Sequence, residues 1–201
     1  SGFVIGYAYD DRWKTMTVKD FIKRRVIRLH PMVVMGAVIG AVMFYFQGCP
    51  VWDVTKVTVA ALLLATFVNA LLIPATPGSE IRGLGEMYPL NGPSWSLFFE
   101  YIGNILYALI IRKFSTKALA VLVVAAGCGL AAFSIFGPYG DICAGFSLTG
   151  TEFTGGFFRL LYAFSAGLLL SRVFKPARVR GAFWKCSLLV IILLAVPRLG
   201  G

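Results

Sequence analysis

Ser96, Glu100, Asn104 and Tyr107 stand at spacings of four, four and three in "PSWSLFFEYIGNILYAL", a run with no other charged side chain before Arg112. On a helix those spacings put all four on one face. A carboxylate in such a setting acts as a general base or orients a histidine that does. Equally, it forms half of a buried ion pair that holds two helices together. The polar stripe implies a face turned away from lipid in either case, because ionisable groups inside membranes face the bundle interior or a cavity.

A second group lies upstream in "FIKRRVIRLHP". Arg24 and Arg28 are four apart, and Arg25 and Arg28 three apart, so a helix makes them neighbours. Guanidinium pairs hold phosphates through bidentate hydrogen bonds, which lysine does not match. The ligand would be a lipid headgroup or a phosphorylated cofactor; the alternative is an ordinary basic anchor at a cytoplasmic helix end. His30 has no acid near it in sequence and suits a helix-end or headgroup hydrogen bond. One histidine and the cysteines Cys49, Cys128, Cys143 and Cys186, without paired spacing, make no metal site. Cys49 and Cys143 fall in loops that could face the outside, so a disulfide between them is left open.

The elements that must carry these residues are apolar. The chain is 58% hydrophobic and only 14% charged, against about a quarter charged in soluble domains, and its mean hydropathy is +0.80. Residues 29–52, 57–79 and 118–140 contain no Asp, Glu, Lys or Arg. Each is long enough for the roughly 20 apolar residues that span a bilayer. The Glu100 stretch, 157–174 and a shorter 181–196 add three more. Such segments must be helical, since unpaired backbone groups are costly in lipid. The expected fold is all-α: a polytopic transmembrane bundle of about six spans after a truncated N-terminal helix at 1–9.

Thr17 with Asp20 resembles a capping box, and Val18, Phe21, Ile22, Val26 and Leu29 repeat at helical spacing. A short amphipathic surface helix is expected there, with a break or kink at Pro31 before the first full span. Segment 73–94 is too rich in Pro and Gly for a regular helix.

The net charge of +10 is not a nucleic-acid signal. Seven basic residues lie within 10–28 and five within 172–185, beside spans, where they mark cytoplasmic loops and can touch anionic membrane lipids. Yet consecutive crossings starting from an inside 10–28 would leave the basic segments 112–117 and 172–185 outside. Either 73–94 is re-entrant rather than spanning, or the charge bias misleads.

Taken in order, these motifs resemble acyltransferase family 3, integral-membrane O-acyltransferases that modify cell-surface carbohydrates. "SGFVIG" looks like the end of that family's second helix. Arg24 and Arg28 carry its Arg-x-x-x-Arg motif, and Trp95, Ser96, Leu97 and Glu100 carry its Trp-Ser-Leu-x-x-Glu signature. The resemblance runs over essentially the whole chain. It implies an enzyme of the bacterial inner membrane that moves an acyl group, often acetyl, from acyl-CoA to a hydroxyl of lipopolysaccharide, exopolysaccharide or another glycan. Acyl-CoA is then a co-substrate, with no permanently bound cofactor. Arg24, Arg28 and the adjacent Arg25 would hold the acyl donor. Trp95, Ser96, Asn104 and Tyr107 would line the site, and Glu100 would take part in catalysis.

The family's principal histidine belongs to a first helix that this chain does not contain, and His30 does not match its position. Residues 1–201 therefore read as one membrane acyltransferase domain, incomplete at both ends and expected to be inactive alone. Trp95 would stack on sugar or adenine, or anchor the membrane interface. The rival reading from another class is a secondary transporter or flippase for a glycan or lipid-linked sugar, since a broken segment beside a carboxylate-bearing helix also builds transporter sites.

Overall fold

The computed structural model describes residues 1–47, 57–78, 81–174 and 180–195, and among them all regular structure is helical. The α-helices are α1 (Gly2–Tyr9), α2 (Val18–Gln47), α3 (Val59–Ala70), α4 (Ser94–Leu109), α5 (Thr116–Phe136), α6 (Gly150–Val173) and α7 (Ala182–Ala195). Helix starts follow local chemistry. Thr17 and Asp20 form the reciprocal box before α2: Asp20 N–H donates to Thr17 Oγ1 and Thr17 N–H to Asp20 Oδ2, both at 3.2 Å. Thr58, Ser115 and Thr149 cap α3, α5 and α6 through the same hydroxyl-to-backbone bond.

The break expected at Pro31 is absent: α2 continues through it for 30 residues. Proline removes one backbone bond from a helix, but α2 makes contacts on both sides of it. Below Pro31, Phe21 meets Tyr107 with ring centroids 5.6 Å apart, and Arg25 meets Glu100 at 2.6 Å. Above it, Gly36 lies against the Asn91 side chain and Gly40 against the Leu90 carbonyl. Those pairings run in opposite directions along the chain, so α4 is antiparallel to α2.

The described parts of the connection between them, α3 and the loop before α4, do not cross the bundle. Leu62 near the start of α3 and Leu90 near the end of the following loop share one buried cluster with Phe44. The chain thus leaves the C-terminal end of α2 and returns to it. The returning loop is packed rather than loose: Met87, Tyr88 and Leu90 are buried, Tyr88 OH donates to Leu72 O, and Ala75 N–H donates to Met87 O.

That geometry removes the topological conflict. With 62–90 returning, α4 descends to the end where α2 begins. Asp10 gathers that end, accepting Tyr107 OH at 2.5 Å and Arg172 Nε at 2.8 Å. Arg172 also donates to Phe114 O, and Arg112 lies 4.1 Å over the Trp13 ring. Beneath sits a core cluster that includes Ile5, Phe21, Tyr107, Ile111, Leu119, Phe164 and Leu168. The start of α2, the 112–117 segment and the end of α6 therefore share one basic face.

Helices occupy all six apolar runs, but among the described residues three are long and apolar enough to cross a membrane alone: Val18–Phe46, Thr116–Phe136 and Gly150–Val173. α3 has 12 residues, about 18 Å at 1.5 Å per residue, which suits a segment that turns back. Large apolar side chains face outward along these helices, among them Met35, Ile39, Val121, Val124 and Leu194. In water so much exposed apolar surface would be a liability; against lipid it is the expected exterior. Small residues seat α1 on α6: Gly2 packs on the Phe164 carbonyl, Gly6 on Ser171 and Leu168. Cys49 and part of the 172–185 basic segment lie outside the described residues; Cys143 is exposed.

Candidate active site

The predicted stripe on α4 runs inward and does different work at each step. Ser96 is exposed, and its hydroxyl donates to Pro93 O. Glu100 retains 22% side-chain exposure and accepts from Arg25 Nη2 at 2.6 Å. Asn104 is fully buried and its Nδ2 donates back to Glu100 O at 2.7 Å. Tyr107, also fully buried, accepts from Trp13 Nε1 at 3.0 Å and donates to Asp10. The stripe thus leads from a carboxylate with an open side down to the aspartate that ties the basic face together.

The three arginines part company. Arg25 is 3% exposed and committed to Glu100, whereas Arg24 and Arg28 are exposed beside each other on α2. Helical geometry explains the split: with a 100° step per residue, Arg25 takes the same side as Phe21 and Val33, both buried against the bundle. Around the pair, Arg25 Nε, Tyr101 OH and Asn104 Oδ1 are buried without a hydrogen-bond partner among the described residues. Buried polar atoms are nearly always partnered, so orphans gathered around one carboxylate mark a site that engages another polar group.

Beside Glu100 opens a cavity of about 260 Å³ between α4 and α6, lined by Trp95, Ser96, Phe99, Glu100, Gly156 and Arg159, among others. Gly156 lets α6 pack closely on α4 there, since a side chain would run into the Phe99 ring. Trp95 forms the wall towards the α5–α6 loop. Its ring is flanked by Phe146 at 5.1 Å and by Gly145, whose φ of +113° favours glycine. Glu152 fixes that loop by accepting Gly145 N–H at 2.7 Å and Phe146 N–H at 3.0 Å.

Arg159 is the residue that sequence reasoning passed over. It sits 4.8 Å over the Trp95 ring, and its Nη1 donates to Ala144 O at 2.7 Å. Its signal was of the kind that exposed Glu100, a charge set inside an apolar run, here with twelve uncharged residues between it and Arg172. His30 is half-buried on α2 and does not line the cavity. Among the described residues no cluster of His, Cys, Asp and Glu could hold a metal ion.

Fold and site together define a multi-pass helical membrane protein with an open, largely apolar cavity between α4 and α6 that carries the charged side chains Glu100 and Arg159. A family model described as an acyltransferase domain matches residues 1–201, and the chain belongs to this family, acyltransferase family 3. It is also 32% identical over 115 residues to "Protein 2 in picA locus" of Rhizobium radiobacter, a match covering 54% of this chain and 59% of that protein. No solved structure matches the chain.

Proposed function

We propose that the protein moves an acyl group, acetyl foremost, from acyl-CoA to a hydroxyl of a cell-surface or lipid-linked glycan at the bacterial inner membrane. The observation that carries this reading is the cavity beside the Arg25–Glu100 pair, where carboxylate, hydroxyl, indole and guanidinium meet inside a chain of the acyltransferase family. By the positive-inside rule the shared basic face is cytoplasmic, where acyl-CoA is available. Exposed Arg24 and Arg28 suit the phosphates of that donor. Arg25 is assigned instead to Glu100.

A thioester is already activated. The protein must hold it, take the proton from a sugar hydroxyl and stabilise the developing oxyanion. The family resemblance implies a histidine base from a helix outside residues 1–201. The orphaned Arg25 Nε, Tyr101 OH and Asn104 Oδ1 support a polar partner beside Glu100, which would orient that base. Arg25 holds the Glu100 carboxylate in place for this role.

The test uses the full-length protein in proteoliposomes with acetyl-CoA inside and a glycan acceptor. Release of free CoA thiol that depends on the acceptor is expected. Glycan movement across the bilayer with no CoA release would replace this reading with the transporter.

A further inference from the structure

Arg159 is an arginine within a membrane-length helix, and among the described residues no carboxylate pairs with it. Its polar contacts there are one backbone carbonyl, Ala144 O, and the face of Trp95. A neutral donor would satisfy a carbonyl at far smaller cost than a charge held in a span. Guanidinium offers five N–H donors, and the Ala144 bond uses the Nη1 group alone. The side chain lines the same cavity as Glu100 and Ser96.

Position along the helices gives this cation its use. α4 and α6 run parallel, from the α5–α6 loop towards the basic face: Gly156 meets Phe99, Leu160 meets Gly103, and Phe164 meets Tyr107. Trp95 and the Arg159 guanidinium, which reaches back to Ala144, mark the end of the cavity away from the basic face. Glu100 lies five residues further along α4, about 7.5 Å at 1.5 Å per residue. The exposed Arg24 and Arg28 lie on α2, whose start belongs to the basic face.

From this we infer that Arg159 and Trp95 form the acceptor subsite, in which the guanidinium fork holds adjacent oxygens of a polyhydroxylated sugar against the indole edge. The subsite rests on the transferase reading for its place in the reaction, but not for its existence. Donor and acceptor then enter from opposite ends and meet at Glu100. Arg159 acts on the acceptor's non-reacting oxygens and leaves the thioester to the basic face.

The test compares full-length wild type with Arg159→Ala, Arg159→Lys and Arg159→Gln in proteoliposomes. Two readouts are taken: steady-state KM for glycan and for acetyl-CoA, and equilibrium glycan binding without acetyl-CoA by tryptophan fluorescence. Loss of a charged hydrogen-bonding group should raise the glycan KM and weaken glycan binding roughly ten- to hundredfold in Arg159→Ala, with the acetyl-CoA KM within about twofold. Arg159→Lys should recover part of the loss. Arg159→Gln keeps a donor for Ala144 O and should still bind glycan poorly. Wild-type glycan binding by Arg159→Gln, or a defect confined to the acetyl-CoA KM, would overturn the subsite. A wild type that binds glycan through Arg159 yet releases no CoA would instead overturn the transferase reading and leave the subsite standing.

Discussion

Arg25 gives the charge within the apolar helix α4 its partner. The sequence offered two uses for Glu100, chemistry or an ion pair between helices, and the structure shows the pair while leaving part of the carboxylate open to the cavity. Removing one partner of a buried pair is far worse than replacing both. Glu100→Gln should therefore cost about 3 kcal/mol by stranding Arg25, read as a lowered unfolding midpoint in detergent. An Arg25→Leu, Glu100→Leu double variant should recover most of that stability and still release no CoA. Recovery of activity along with stability would reduce the pair to a strut. The split among Arg24, Arg25 and Arg28 was hidden from spacing alone. On a helix Arg28 neighbours both Arg24 and Arg25, and only the direction of the bundle decides which of the three turns inward. Arg159 was equally open to view as a charge inside a span, but its meaning depends on Trp95 and Ala144, which a linear reading cannot bring beside it.

At the level of elements, apolar runs announced every helix, and the hydroxyl caps at Thr58, Ser115 and Thr149 fixed where three of them start. Pro31 shows the limit. Local propensity asks for a break, and contacts on both sides of the proline, Arg25 with Glu100 and Gly40 with Leu90, override it. The returning segment 62–90 depends on the same close approach. Gly40→Leu would drive a side chain into the Leu90 carbonyl, and overpacking of this kind costs about 1–3 kcal/mol. Thermal unfolding should show that loss, and limited proteolysis should cut near Leu90 faster than in wild type. An unchanged cutting rate would argue that the loop is not held by α2.

The whole molecule is ordered by charge. Asp10, Arg112 and Arg172 bring three basic segments to one face, an arrangement that counting spans could not reach because length and hydropathy do not distinguish a crossing from a return. Impermeant thiol labelling checks it. In a variant with Cys49, Cys128 and Cys186 replaced by serine, reagent outside intact cells should label Cys143 and leave an added Ser115→Cys untouched. Permeabilised cells should label both. Labelling of both positions in intact cells would place the two loops on one side and contradict the fold's orientation. The proposed division into a basic donor face and a distal acceptor end depends on that result.

The most direct measurement follows an isotope-labelled acetyl group. Supplied as acetyl-CoA to full-length protein in proteoliposomes with glycan, the label should appear on the glycan as an ester that mild alkali removes. It should disappear in the Arg24→Ala, Arg28→Ala double variant at sub-saturating acetyl-CoA and return as acetyl-CoA is raised. An unlabelled glycan from folded wild-type protein across a panel of glycans, with acetyl-CoA intact, would contradict acyl transfer as the work of this cavity.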